Sequence, residues 1–162
     1  MAIEIERKFL VNAALWQPQG QASHYRQGYL CVADDRVLRV RIAGQSAWLT
    51  LKGSQPGQSI ARLEYEYSIP LTDAQEMLDR LCLWPPIDKV RHRLQHGQHL
   101  WEVDIFAGAN SGLMLAEVEL EHVDELVELP PWVGREVSDD PRYSNACLSQ
   151  HPYSLWTAHE KG

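Results

Sequence analysis

The chain has 162 residues, a formal net charge of −7, 44% apolar and 23% charged residues. This is the size of one ordinary domain with a real core, and the acidic balance argues against a nucleic-acid partner, which leans on basic surface. No apolar run approaches the roughly 20 residues that cross a bilayer, and the charged start MAIEIERKF lacks the apolar stretch of a signal peptide. A soluble, cytoplasmic protein with no membrane partner is expected.

Along the chain the dominant signal is period-two alternation, the mark of strands. Ile3, Ile5 and Phe9 alternate with Glu4, Glu6 and Lys8, and a further strand is expected near Tyr25 to Val32. Leu38, Val40 and Ile42 alternate with Arg39 and Arg41, then Leu49 and Leu51 with Thr50 and Lys52. Leu63, Tyr65, Tyr67 and Ile69 alternate with Arg62, Glu64, Glu66 and Ser68. Thr72 to Leu81 reads as a helix with Thr72 as its N-cap and Leu71, Met77, Leu78 and Leu81 as apolar contacts. Next, Val90 and Leu94 alternate with Lys89, Arg91 and Arg93, Trp101, Val103 and Ile105 with Glu102 and Asp104, and Val118 and Leu120 with Glu117, Glu119 and Glu121. A short helical turn over Val123 to Val127 and an irregular or helical end over Asn145 to Thr157 complete the chain. Breaks at Gly53 to Ser59, Trp84 to Pro86 and Leu129 to Pro131 are too short to link domains.

Charge is sorted by strand rather than mixed. Glu4 and Glu6 share one strand, Arg39 and Arg41 another, Glu64 and Glu66 a third, and Lys89, Arg91 and Arg93 a fourth. In an ordinary antiparallel sheet the charged face meets water. Like charges two apart on one face repel, however, unless something binds between them. A closed barrel of about eight strands encloses room for side chains and one small ligand. If its charged faces point inward, the apolar faces need covering from outside, by the helix near Leu71 to Leu81 and by the aromatic-rich tail. Cys31, Cys82 and Cys147 are too scattered for a disulfide framework or a zinc site and read as reduced thiols.

These residues resemble a known family. Glu4-x-Glu6-x-Lys8 is similar to the ExExK signature of the CYTH superfamily, the triphosphate tunnel metalloenzymes. Arg39-x-Arg41, Lys52, Glu64-x-Glu66, Lys89-x-Arg91, Glu102-x-Asp104 and Glu117-x-Glu119 continue the match in order. The resemblance covers essentially the whole chain, as a single domain over residues 1–162. It implies a mainly β (α+β) fold, a closed eight-stranded antiparallel tunnel with a few peripheral helices. It also implies Mg²⁺ or Mn²⁺ as cofactor. Members include inorganic and thiamine triphosphatases, the RNA triphosphatases of mRNA capping and class IV adenylate cyclases. The DPRYSN segment at Asp140 to Asn145 is most similar to the small bacterial inorganic triphosphatases.

On this resemblance Lys8, Arg39, Arg41, Lys52, Lys89 and Arg91 are candidate ligands of a polyphosphate substrate, with Arg93 ranked below them. Arginine offers bidentate donors and lysine a point charge. Glu4, Glu6, Glu117 and Glu119 are candidate ligands of a first metal, since carboxylate oxygens suit Mg²⁺ or Mn²⁺. Glu64, Glu66, Glu102 and Asp104 are candidates for a second metal or for placing the attacking water, against the plainer role of salt-bridge partners. Glu121 reads as the strand's exit to solvent. Lys52, expected among cations that would favour its neutral form, is the candidate base with Tyr29 as partner and Tyr25 as competitor. His92, His96 and His99 do not share one strand face and are set aside as a metal site. The expected reaction is hydrolysis of tripolyphosphate to pyrophosphate and phosphate. The alternatives are a nucleotide-acting member of the superfamily or a non-catalytic polyphosphate-binding module. Nothing in the sequence excludes a homodimer.

Overall fold

A computed structural model describes residues 3–54 and 60–162. Within the expected Gly53 to Ser59 break, residues 55–59 lie outside the described residues. The strands are β1 (Ile3–Val11), β2 (Gln21–Ala33), β3 (Arg36–Ala43), β4 (Ser46–Ser54), β5 (Ala61–Ser68), β6 (Ile87–His96), β7 (His99–Phe106), β8 (Met114–Glu119) and β9 (Val133–Glu136). The helices are α1 (Leu71–Arg80), α2 (Asn145–Gln150) and α3 (Ala158–Lys161).

Strands β1 to β8 close into an antiparallel barrel in the spatial order β1-β5-β4-β3-β2-β6-β7-β8, with β8 returning to β1. Tight turns join β3 to β4 and β6 to β7, where Gly44 (φ 60°) and Gly97 (φ 59°) take left-handed backbone that other residues resist. The closing seam is short. β5 pairs only with Ile3, Glu4 and Ile5, and farther along the same edge of β1 the ninth strand, β9, pairs with Phe9 and Val11. The alternation did not mark β9, because four residues, VGRE, carry too little pattern.

The apolar faces point outward and three clusters cover them or end the barrel. On the outer side of β1, β7 and β8, Phe9, Trp101, Val103 and Val118 pack under Trp16, Trp132 and Leu120. The Trp132 ring lies 5.0 Å from Trp16 and 5.8 Å from Trp101, edge-on to both. On β3 and β4, Val40 and Ala47 pack under Ala74 and Leu78 of α1. Gly28 on β2 lets this cover approach, since a Cβ there would sit 2.4 Å from Cys82 Sγ. The third cluster lies at one end of the barrel. Ile87, Phe106 and Leu115, two residues beyond the inward-facing Lys89, Asp104 and Glu117 on their strands, meet Tyr143, Leu148 and Trp156 of the C-terminal segment. The tail therefore closes an end of the barrel more than it covers a side.

Three local expectations are corrected. The helix N-cap is Pro70, not Thr72, because the Pro70 carbonyl already accepts the Ala74 amide. Leu81 is the helix C-cap and 61% exposed, so it adds no core contact. Val123 to Val127 forms only a turn; Glu125 folds back to accept the Glu121 amide, which leaves no helical ladder. The stretch from Asn145 to Thr157, expected as irregular or helical, resolves into α2 and a 3-10 turn over Tyr153–Leu155, and α3 follows it.

Candidate active site

Closure turns the charged faces into one cavity of about 540 Å³, within the range that holds a small ligand. Its wall carries Glu4, Glu6 and Lys8 from β1, Tyr29 from β2, Arg39 and Arg41 from β3, Lys52 from β4, and Glu64 and Glu66 from β5. Arg91 from β6, Glu102 from β7, and Glu117 and Glu119 from β8 complete it. Of the expected site residues only Lys89 and Asp104 do not reach the open space. They follow the same inward faces but lie sealed beside it, 0% and 1% exposed.

Strand register explains most of the pairing. Lys52 stands opposite Glu64; its Nζ donates to Glu4 Oε2 at 2.6 Å and lies 3.2 Å from Glu64 Oε2, an oxygen that nevertheless receives no well-directed hydrogen bond. Lys8 stands opposite Glu117, with Nζ 3.4 Å from Oε1, and also donates to the Tyr143 carbonyl at 3.3 Å. Arg39 donates to Thr50 at 3.1 Å, and the Thr50 hydroxyl donates to Glu66 at 2.8 Å. Arg91 is the most heavily engaged cation. It donates to both oxygens of Asp104 at 2.7 and 2.8 Å and reaches Glu102 at 3.2 Å and Glu117 at 3.4 Å. Arg41 differs. Its Nε donates to Gln27 at 3.0 Å and its guanidinium lies over the Tyr25 ring, and among the described residues it has no carboxylate partner. Arg62, on the same wall, likewise forms no salt bridge among the described residues, so Arg41 and Arg62 are the wall cations left unpaired for an incoming anion.

Two cross-strand pairs are of like charge: Glu6 faces Glu119 and Glu102 faces Glu117. Burial and then the nearby Glu117 raise the Glu6 carboxyl above its ordinary range. Burial raises Glu4 too, against the pull of Lys52, and it raises Glu119, with Glu4, Glu6 and Glu102 adding to the effect. Glu117 moves the other way, because Lys8 and Arg91 outweigh its burial. Asp104 is likewise lowered, Arg91 and Lys89 overcoming a full desolvation cost. Burial brings Arg41 down to about 10, with Arg39 and Arg91 contributing. Burial also brings Lys89 down to about 7; Asp104 opposes this, whereas Arg91 and Arg41 add to it.

Glu6 and Glu119, which form no salt bridge among the described residues, make with Glu4 an acidic region whose all-oxygen donor set fits Mg²⁺ or Mn²⁺. Among the described residues no three acidic or histidine groups are already gathered as a coordination shell, and the carboxylates lean instead on lysine and arginine.

Several details depart from expectation. Lys52 is held by two carboxylates rather than set among cations; the lysine crowded by guanidinium groups is Lys89. Lys52 makes no hydrogen bond to Tyr29 among the described residues, although Tyr29, Arg39 and Thr50 form one cross-strand row with Lys52 two residues beyond Thr50. Arg62, outside the candidate ligands, lines the cavity two residues before Glu64, and the alternation that marks Glu64 is its signal. Trp48 lines the cavity as well, and Ser144, Asn145 and Cys147 border it from the C-terminal segment, a tertiary neighbour no strand pattern could reveal. The three histidines lie apart from the cavity: His92 contacts the Gln19 carbonyl, His96 lies 3.5 Å from Glu128, and His99 pairs with Glu125 at 2.7 Å.

Comparison with known proteins agrees with this geometry. An inorganic triphosphatase of Acetivibrio thermocellus is 44% identical over 153 residues, covering 94% of this chain and 97% of that protein. One from Nitrosomonas europaea is 41% identical, covering 90% and 96%. A crystal structure of an inorganic triphosphatase superposes with a TM-score of 0.64 at 38% identity, covering 97% of each chain. A Hippeastrum structure at 15% identity and TM-score 0.56, covering 75% of this chain and 80% of that one, shares the fold. Residues 2–146 match the CYTH domain, and the chain belongs to that family.

Proposed function

We propose that the protein is a divalent-metal-dependent hydrolase that cleaves inorganic triphosphate to pyrophosphate and phosphate inside the barrel. The observation that carries this reading is the enclosed wall of sorted charge, which holds a carboxylate-rich region and two guanidinium groups, Arg41 and Arg62, that form no salt bridge among the described residues. Two relatives above 40% identity, both named inorganic triphosphatase, support the choice of substrate over the nucleotide-acting and non-catalytic alternatives.

Arg39, Arg41 and Arg91, with Lys8, would hold the phosphate oxygens and stabilise charge on the leaving group. Glu4, Glu6, Glu117 and Glu119 would hold Mg²⁺ or Mn²⁺, which when bound supplies Lewis-acid stabilisation and draws together groups that otherwise repel. Glu64, Glu66 and Glu102 stand as second-metal or water-placing groups. Lys52 is our assignment for the general base, with Tyr29 as its partner from the neighbouring cross-strand row; it would act as a neutral amine, having first passed a proton to Glu4 or Glu64, whose oxygens lie 2.6 and 3.2 Å from its Nζ. We place the protein in the cytoplasm, a reading with which its three free thiols agree.

The test is phosphate release from tripolyphosphate, ATP, thiamine triphosphate and pyrophosphate, each with Mg²⁺ and with EDTA. Preferential turnover of tripolyphosphate that EDTA abolishes is the expected result. Formation of cyclic AMP from ATP, or tight binding without turnover, would replace the proposal.

A further inference from the structure

We infer that Lys89 and Asp104 touch neither substrate nor metal, and that they act as a buried pair positioning Arg91. The inference rests on the triphosphatase reading and refines it, since sequence pattern places Lys89 with the phosphate ligands and Asp104 with the metal ligands.

Three observations carry it. First, both side chains are sealed from the cavity that their neighbours line, Lys89 being 0% and Asp104 1% exposed. Second, both Asp104 oxygens are already occupied. Oδ1 accepts Arg91 Nε at 2.7 Å, while Oδ2 accepts Arg91 Nη2 at 2.8 Å and Lys89 Nζ at 2.6 Å. A metal ligand would have to give up at least one charge-assisted bond in a dry site, and such bonds are among the strongest in proteins. Third, Lys89 is packed in place from behind, its ammonium 5.4 Å from the centre of the Phe106 ring at the apolar end of the barrel.

The consequence falls on Arg91. Asp104 grips one edge of its guanidinium, from Nε to Nη2, which fixes the plane of the group. Nη1 and the other side of Nη2 then face Glu102 and Glu117 on the cavity wall. The Lys89 Nζ donates to the Oδ2 that Arg91 also uses and anchors Asp104 in place. A guanidinium fixed this way needs no reordering when a polyphosphate arrives, which is how preorganisation raises affinity.

The experiment is a double-mutant cycle of Lys89→Met and Asp104→Asn, read on KM and kcat for tripolyphosphate, on tripolyphosphate binding by calorimetry without metal, and on Mn²⁺ binding by electron paramagnetic resonance without substrate. We expect Asp104→Asn to raise KM and the binding constant's Kd about tenfold, with kcat changed less. Adding Lys89→Met should then cost less than about a further twofold, because residues acting through one partner are not additive. Mn²⁺ affinity should stay within about twofold of wild type throughout. Should the single variant fail to fold, the neutral double variant, which leaves no buried unpaired charge, carries the same Mn²⁺ and KM readings. A tenfold weakening of Mn²⁺ binding would make Asp104 a metal ligand, and a full additional loss from Lys89→Met would make Lys89 a phosphate ligand; either overturns the inference. If the wild type failed to hydrolyse tripolyphosphate the proposed function would fall, whereas the calorimetric and Mn²⁺ cycles would still decide the positioning role.

Discussion

At the scale of single residues, the site is organised by how each charge is, or is not, compensated. Lys52 joins Glu4 and Glu64, two carboxylates from strands on either side of the barrel seam. Lys52→Met should lower kcat by about 100-fold or more if the lysine takes part in proton transfer, while KM for tripolyphosphate changes far less; an unchanged kcat in steady-state assays removes Lys52 from the chemistry. The carboxylates also fix the pH response. Glu4, Glu6 and Glu119 have folded-state values above the ordinary range, so the metal-free fold retains protons that the unfolded chain has already released. Their contribution to stability thus falls as pH rises through the carboxylate range. Asp104 and Glu117 have lowered values and act oppositely, contributing above that range and losing their contribution as pH falls. A cation that neutralises the first group restores what it loses. The rise in melting temperature on adding Mg²⁺ should therefore be larger near neutral pH than at about pH 5, measured by differential scanning calorimetry; an equal rise at both would mean the ion binds elsewhere.

Among the elements, α1 and the strands beneath it show how an inside-out barrel is stabilised. With its charged faces turned inward, the barrel needs apolar cover, and Leu78, 3% exposed, is a central part of it. Leu78→Ala should cost about 2–5 kcal/mol through lost burial and a cavity, seen in urea unfolding, with the residual folded enzyme keeping its KM. Gly28→Ala should also destabilise, by about 1–3 kcal/mol through overpacking against Cys82; a stability equal to wild type would show that the loop after α1 yields freely. The eight barrel strands were legible because alternate charges and apolar groups run through them. β9 and the N-cap at Pro70 were not, since each depends on which backbone edge or carbonyl lies nearby in space. The apolar residues Ile87, Phe106 and Leu115 follow the same inward parity as the charges, but only the tertiary contact with Tyr143, Leu148 and Trp156 reveals that they close the barrel.

Over the whole molecule, a net charge of −7 is compatible with the proposed anion site because lysines and arginines from several strands meet on the inner wall of the barrel, interleaved with its carboxylates. The site's membership could be read from sequence because inward direction follows from parity. Depth along each strand could not, and depth separates Arg91 on the wall from Lys89 and Asp104 behind it. Nor could the strand pattern show that Lys52 meets Glu4, a contact made across the seam where β1 closes on β5. The most direct test of the charged interior is a crystal structure with tripolyphosphate and Mn²⁺, phased to locate manganese by its anomalous signal. We predict manganese beside Glu4, Glu6, Glu117 and Glu119, and phosphate oxygens on Arg39, Arg41 and Arg91, all within the barrel. Manganese and polyphosphate bound only on the outer surface, with the interior charges still paired to one another, would contradict the account.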